Sequence, residues 1–258
     1  MPKVLINGNN IKYITGEEVK NDRATILMIH GAGQSIATWV YQHDFFRLNK
    51  GLNLIILDLP GHGKSNGEGC RAIHEYSSFL KRFSDVLNLS KLILVGHSMG
   101  GGIAQMFTLE FPQLVKACTL VGTGVRLRVA KETLDYAKNN FEAFCKIAPS
   151  RSFAESSSEE LRIKYYDGLL NTSKDVIYND LVACDEFDIT EEVSRIEVPT
   201  LIVSADQDIL TPVKYGELLR ERIKGSKLHV IKNSGHFMMQ EKPEEFNEAL
   251  TEFLGTLT

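Results

Sequence analysis

The chain has 258 residues, 43% of them hydrophobic and 24% charged, with a formal net charge of -4 at pH 7. This is the composition of one globular domain large enough to bury a core and a pocket, and it excludes disordered and fibrous classes. With a slightly acidic balance and no Lys/Arg cluster on any candidate helix, the chain offers phosphate backbones no attractive field. Nucleic acid is therefore not an expected partner. The opening segment "MPKVLINGNNIKYITGEEVKND" has no apolar core of the kind a signal peptide carries. No stretch reaches the ~18 apolar residues of a membrane span, so a cytoplasmic location is expected.

In chain order, residues 4–6 and 11–14 are short alternating segments split by "NGNN", which predicts an edge hairpin. Residues 25–30, 53–57, 91–95 and 115–121 are continuous apolar runs rich in Ile, Leu and Val. Such runs fit parallel strands covered by helices on both faces. Between them, residues 73–87 carry Phe79, Leu80, Phe83 and Leu87 at helical spacing, and residues 98–111 form a second helical stretch closed by Pro112. Strand and helix in alternation predict a right-handed βαβ sheet.

From about residue 123 to 190 the strand signal stops. Leu134, Ala137, Phe141, Phe144, Cys145 and Ala148 recur at helical intervals, as do Leu161, Tyr165 and Leu169, then Val176, Ile177, Leu181 and Val182. "SSSEE" at 156–160 reads as a helix cap followed by an acidic first turn. Alternation returns at Pro199, with strands at 200–204 and 227–231 and helices at 212–223 and 244–254. The expected organisation is a core of residues 1–122 and 191–258 with a helical insertion at 123–190.

Cys70, Cys118, Cys145 and Cys184 are widely spaced, with neither C-x-x-C nor a His/Cys ligand cluster. They are expected as free, mostly buried thiols, with no metal and no cofactor. "GAG" at 31–33 lacks the spacing of a dinucleotide fingerprint, since position 36 is Ile.

The stretch "KLILVGHSMGGGIAQMFTLEFP", residues 91–112, interrupts a strand with Gly96-His97-Ser98-Met99-Gly100 and resumes as a helix. A bare Gly-x-Ser-x-Gly pattern could be a turn that merely lets a helix pack closely. A strand-to-helix setting instead fits a tight turn whose glycines clear space for a serine held above the sheet edge. A serine nucleophile needs a general base, and the base needs an orienting acid. "LIVSADQDILTP" offers Asp206 and Asp208 beyond one strand, and "VIKNSGHFMMQEKPEEF" offers His236 beyond the next. The order Ser98, Asp208, His236 is the chain order of this hydrolase type.

These motifs resemble those of the α/β-hydrolase superfamily, in particular its small branch of carboxylesterases, haloperoxidase-like perhydrolases, lactonases and C–C bond hydrolases. The resemblance covers nearly the whole chain and rests on "HGAG", "DLPGHGKS", "GHSMGG", "ADQDILTP" and "SGHFMMQEKPEEFN". In the acid motif Ala205 replaces the family's usual glycine, while Asp208 and Pro212 align. The resemblance implies an α/β fold with a mostly parallel sheet and a helical cap. It implies Ser98 as nucleophile, His236 as base and Asp208 as acid, with Asp206 as the alternative acid. The oxyanion donors would be the backbone N–H groups of Ala32 and Met99.

Trp39, Phe141, Phe144, Tyr165, Phe237 and Met238, with Met239, are candidate pocket residues, and plain packing is the competing account for most of them. If they line a pocket, a small or medium apolar acyl substrate is expected. His30 and His97 read as hydrogen-bonded scaffold, His62 as a structural turn residue, and Asp58 as a cap on the "PGHG" turn. The expected activity is ester hydrolysis. Lactone, thioester or C–C bond hydrolysis and perhydrolysis are alternatives on the same triad, and a ligand-binding receptor on the same scaffold is a third class. A serine at position 98 excludes the alkyl displacement that dehalogenases and epoxide hydrolases perform with a carboxylate.

Overall fold

The computed structural model describes residues 2–49 and 51–257, so Met1, Lys50 and Thr258 of the expected core ranges lie outside the described residues. Eight strands form its sheet: β1 (Lys3–Ile6), β2 (Asn9–Thr15), β3 (Thr25–Ile29), β4 (Asn53–Leu57), β5 (Leu92–His97), β6 (Val115–Val121), β7 (Thr200–Ala205) and β8 (Lys227–Ile231). Their spatial order is β1-β2-β4-β3-β5-β6-β7-β8. β1 and β2 are antiparallel to their neighbours, and the pairs from β4 to β8 are parallel. The edge hairpin turns at Asn7 and Gly8, whose φ values of 51° and 82° are those a two-residue turn between twisted strands requires.

The period of two along each strand sorts side chains onto two faces. Leu27, Ile29, Ile55, Leu57, Leu92, Leu94, Cys118 and Leu120 join one buried cluster. That cluster takes in Ile73, Phe79 and Phe83 from α2 (Ile73–Val86), Ile103 and Phe107 from α3 (Met99–Glu110), and Leu219. Ile26, Met28, Leu54, Ile56, Ile93, Val95, Val121, Leu201 and Val203 face the other way. There they meet Phe46 from α1 (Val40–Phe46) and Phe246, Leu250 and Phe253 from a C-terminal helix that begins at Pro243. Burial on both faces is why these strands read as unbroken apolar runs.

Four helices stand between β6 and β7: α4 (Lys131–Asn139), α5 (Phe141–Ser152), α6 (Glu159–Leu170) and α7 (Lys174–Glu186). The periodicity from Leu134 to Ala148 suggested one helical run, but the structure breaks it at Asn140. Asn140 leaves helical φ/ψ (-146°, 64°) and its side-chain oxygen accepts from the Ala143 N–H, so it caps a new helix. Ser158 caps α6 in the same way, with Glu159 and Glu160 in the first turn. Ala137, Phe144, Cys145, Leu169 and Ile177 give the four helices an apolar cluster of their own. An antiparallel bridge between Arg126 and Asp188 brings the two ends of the segment together. The remaining helices are α8 (Val213–Arg222), α9 (Met238–Glu241) and α10 (Pro243–Gly255). Among the described residues no helix is long and apolar enough to cross a membrane.

Candidate active site

Parallel register aligns Ile29 with Gly96, His97 with Val121, Val121 with Val203, and Ala205 with Ile231. The loops that follow these strands therefore open along one edge of the sheet, which collects residues from positions 30 to 236.

Ser98 occupies the turn from β5 into α3 with φ 53° and ψ -117°. A positive φ costs a non-glycine residue about 1–3 kcal/mol and persists only where its surroundings enforce it. Here the enforcement is visible: Ser98 N donates to the Val121 carbonyl at 2.9 Å. Its own carbonyl accepts from Gly101 N, Gly102 N and the Thr123 hydroxyl at 2.9, 3.2 and 2.9 Å. The flanking glycines are demanded by space. A Cβ on Gly96 would stand 2.2 Å from the Gly100 carbonyl oxygen, and one on Gly100 would stand 2.3 Å from that of Ile29.

Asp208 follows β7 and is buried, whereas Asp206 is exposed, with Lys232 Nζ 3.9 Å away. Asp208 Oδ1 accepts from Leu210 N and Thr211 N at 2.9 Å each, and Oδ2 accepts from the Thr211 hydroxyl at 2.6 Å. Oδ2 also lies 2.7 Å from His236 Nδ1. Burial by itself pushes the Asp208 carboxyl up. The His236 charge and hydrogen bond, joined by both Thr211 donors, outweigh it and hold the carboxyl well below the usual carboxylate range. An ionised carboxylate only accepts, so Nδ1 carries the proton and Nε2 presents its lone pair.

His236 is anchored on both sides. Its N–H donates to the Ser152 carbonyl at 2.8 Å, and its carbonyl accepts from His97 Nε2 at 2.9 Å, which ties the His236 loop to the residue beside Ser98. The Glu241 carboxylate accepts from Gly235 N and Ala154 N at 3.0 Å and from the Ser157 hydroxyl. Thr211 and Glu241 were absent from the sequence reading. Thr211 had a faint signal in the D-x-x-T spacing of an Asx-type turn; Glu241 had none beyond its nearness to His236.

The "HGAG" loop after β3 lies against the Ser98 turn, where a Cβ on Gly31 would be 3.1 Å from Ser98 Cβ. Among the described residues neither the Ala32 nor the Met99 N–H donates to a protein acceptor. His30 fixes this loop: Nδ1 donates to the Gly31 carbonyl at 2.8 Å and Nε2 accepts from Leu59 N at 3.0 Å. Asp58 does more than cap its own turn, accepting from Lys64 N at 2.9 Å and from Ile36 N at 2.7 Å.

The pocket candidates divide. Phe237 is stacked on Phe153 at 4.8 Å between ring centroids, lies 4.7 Å from Tyr165 and meets His97 and His236 at 5.1 and 6.0 Å. Met238 is buried, and a Cβ on Gly122 would stand 3.1 Å from Met238 Cε and 3.3 Å from His236 Nδ1. Trp39 stands behind His97, edge-on at 6.5 Å and packed on Phe246, inside the sheet-facing core with Met239. Phe141 and Phe144 stack on each other at 6.1 Å within the cluster of the helical segment. Trp39, Phe141 and Phe144 are thus packed among apolar neighbours, as the plain-packing reading of them describes. Leu169 and Ile177 instead reach the site edge, within 3.3 Å of where a Gly33 side chain would begin.

His30 and His97 are buried and held well below the ordinary histidine range. Burial is the main cause for both, followed by the charge of His62 for His30 and of His236 for His97. Below about pH 6.5 the unfolded chain takes up protons that the native state refuses, so stability is lost as the pH falls. Between pH 7 and 5 each of these two groups is expected to remove stability with a limiting slope of about 1.4 kcal/mol per pH unit and so to lower the thermal midpoint, while His62, raised by Asp180, works in the opposite direction. His30→Gln should flatten that slope in scans across this range; an unchanged slope would remove His30 from the account.

Residues 26–249 match the model of the alpha/beta hydrolase family. The chain belongs to the alpha/beta hydrolase family. A solved structure of a thermophilic esterase superposes with TM-score 0.85 at 33% identity, covering 99% of this chain and 97% of the other. The enol-lactonase from Burkholderia xenovorans LB400 shares the fold with TM-score 0.91 at 21% identity, covering 98% of this chain and all of the other. The 2-hydroxy-6-oxononadienedioate/2-hydroxy-6-oxononatrienedioate hydrolase 2 of Pseudomonas putida is 29% identical over 258 residues, 89% of this chain and 87% of the relative.

Proposed function

We propose that this hydrolase cleaves carboxylic esters of small to medium, mostly apolar acyl groups through Ser98, His236 and Asp208, with residues 123–190 as the cap. Ser98 Oγ attacks the ester carbonyl carbon while His236 Nε2 takes its proton. The C–O bond to the alcohol then breaks, the alcohol leaving with that proton, and an acyl-Ser98 remains. Water, deprotonated by Nε2, attacks the acyl carbon; the acyl C–O bond to Ser98 then breaks, Ser98 Oγ takes the proton back from Nε2, and the acid is released. In both steps the carbonyl oxygen gains charge where the Ala32 and Met99 N–H groups are unengaged, so they serve as its donors. Asp208 keeps the imidazole in the tautomer that leaves Nε2 free and stabilises it when charged.

The observation that carries this reading is the 2.7 Å contact of His236 Nδ1 with a carboxylate, on a sheet edge shared with a serine at positive φ. Apolar acyl groups are favoured because the groups around the site are Phe153, Tyr165 and Phe237 on the His236 side and Leu169 and Ile177 on the Gly33 side. The Pseudomonas putida relative's name specifies a dicarboxylate, which such an apolar surround does not suit.

A series of p-nitrophenyl esters from acetate to dodecanoate, run beside lactones, thioesters and a vinylogous diketone, tests the reading. Turnover is expected for the esters, with kcat/KM greatest at short to medium chains. Turnover of a lactone or diketone with no ester cleaved would overturn it.

A further inference from the structure

A buried cluster beneath the oxyanion loop has no part in proton transfer at Ser98. Asp180 projects from α7 and is fully buried. Its Oδ2 accepts from Gly33 N at 2.8 Å and lies 2.7 Å from His62 Nε2, while Oδ1 accepts from the Tyr76 hydroxyl at 2.5 Å. The other nitrogen of His62, Nδ1, is 3.0 Å from the Pro60 carbonyl oxygen. Both partners of His62 can only accept when Asp180 is ionised, so both ring nitrogens donate and the ring is an imidazolium. The pair is thus charged, mutually neutralising and saturated with hydrogen bonds, the condition under which a buried ion pair is tolerated.

The surrounding groups agree with this assignment. Burial opposes charge on His62, and the Asp180 carboxylate with its hydrogen bond raises His62 above the ordinary value despite it. Asp58 faces His62 from the β4 side and adds to that effect. His30, whose ring lies 4.9 Å from that of His62, is kept neutral. The Tyr76 hydroxyl, pushed well above its range by burial and by Asp180, stays a donor.

Four regions of the chain meet at this one carboxylate: the loop after β3 at Gly33, the "PGHG" loop at His62, α2 at Tyr76 and α7. Gly33 N is the neighbour of Ala32 N, the donor that the ester-cleaving reading assigns to the oxyanion. Val176 and Ile177, also on α7, lie over the same two loops: a Cβ on Gly61 would stand 2.8 Å from Val176 Cγ2, and one on Gly33 3.1 Å from Ile177 Cγ1. We propose that Asp180, paired with His62 and Tyr76, is a positioning residue through which the helical segment sets the placement of the oxyanion loop. The core lays out Ser98 and His236 by sheet register, but the loop's donor geometry depends on α7 being seated. Its role in catalysis rests on the proposed reaction; the hold on the loop does not.

Two variants separate these parts. Asp180→Asn keeps the shape but removes the charge that lets one group accept from three donors, and Tyr76→Phe removes one donor with little risk to folding. With active sites counted by covalent titration, Asp180→Asn is expected to lower kcat by about 10-fold to 100-fold with KM nearly unchanged, as misplacement of a transition-state donor would. Tyr76→Phe should lower kcat a few-fold. Hydrogen exchange of peptides spanning 31–35 should accelerate in both variants while those spanning β5 keep their protection.

Unchanged exchange of the loop in the variants overturns the proposal, whatever happens to activity. Faster exchange with kcat per titrated site unchanged overturns the positioning role and leaves a structural one. If Asp180→Asn does not fold, Tyr76→Phe decides by the same readouts. If the wild type cleaves no ester, the proposed reaction fails separately, and loop exchange alone decides whether Asp180 holds the loop.

Discussion

Ser98→Ala is expected to lower ester turnover by a factor on the order of 10⁴ to 10⁶, because the members of such a triad act as a unit. The thermal midpoint should scarcely move. Alanine keeps a Cβ at the same φ of 53°, so it carries the same backbone strain as serine. The bonds that hold the turn come from the backbone N–H and C=O of position 98, and the substitution leaves them in place. Matched kinetics and thermal scans therefore distinguish a lost nucleophile from a lost fold. Retention of more than a tenth of the wild-type rate would remove Ser98 from the mechanism.

The second large effect belongs to Asp208. In Asp208→Asn the side-chain oxygen still accepts from Leu210 N and Thr211 N, so the loop is retained. The amide nitrogen then faces His236 Nδ1 and donates to it. That moves the imidazole proton to Nε2 and leaves no lone pair for the Ser98 proton. A loss of about 10⁴ in kcat follows from the wrong tautomer. Asp206→Asn, at an exposed carboxylate 3.9 Å from Lys232, is expected to stay within about 2-fold of wild type, as surface substitutions do. Steady-state rates of the two variants decide between the carboxylates; the reverse ranking would assign the acid to Asp206.

Some of this was legible in the residues alone. The strands of the sheet were, since burial on both faces writes each as a continuous run such as "TILMI" or "NLIIL". The strand-to-helix turn at Ser98 was, because the glycines at 96 and 100 answer a steric demand that few other settings make. Boundaries were less so. β5 continues through Gly96 to His97, as its register with β6 shows, although glycine in a run usually marks its end. The short helix α1 went unread because "VYQHDFF" is under two full turns long and carries no cap.

What the sequence could not show is convergence. Gly33, His62, Tyr76 and Asp180 are separated by up to 147 positions, and each has an ordinary local reading as loop glycine, turn histidine, core tyrosine or helix aspartate. Only the seating of α7 on two loops brings them to one carboxylate. Pocket residues are hard to read from sequence for a related reason. Aromatic side chains at helical spacing look the same whether they face a substrate or one another, and Phe141 and Phe144 face one another.

The central claim is that Ser98 is an activated nucleophile. The measurement that tests it most directly is treatment of the wild-type protein with a fluorophosphonate probe, followed by proteolysis and mass mapping of the adduct. A single adduct on Ser98, absent from Ser98→Ala and much slowed in Asp208→Asn, is the predicted result. An adduct on another residue, or equal labelling of wild type and Ser98→Ala, would contradict it.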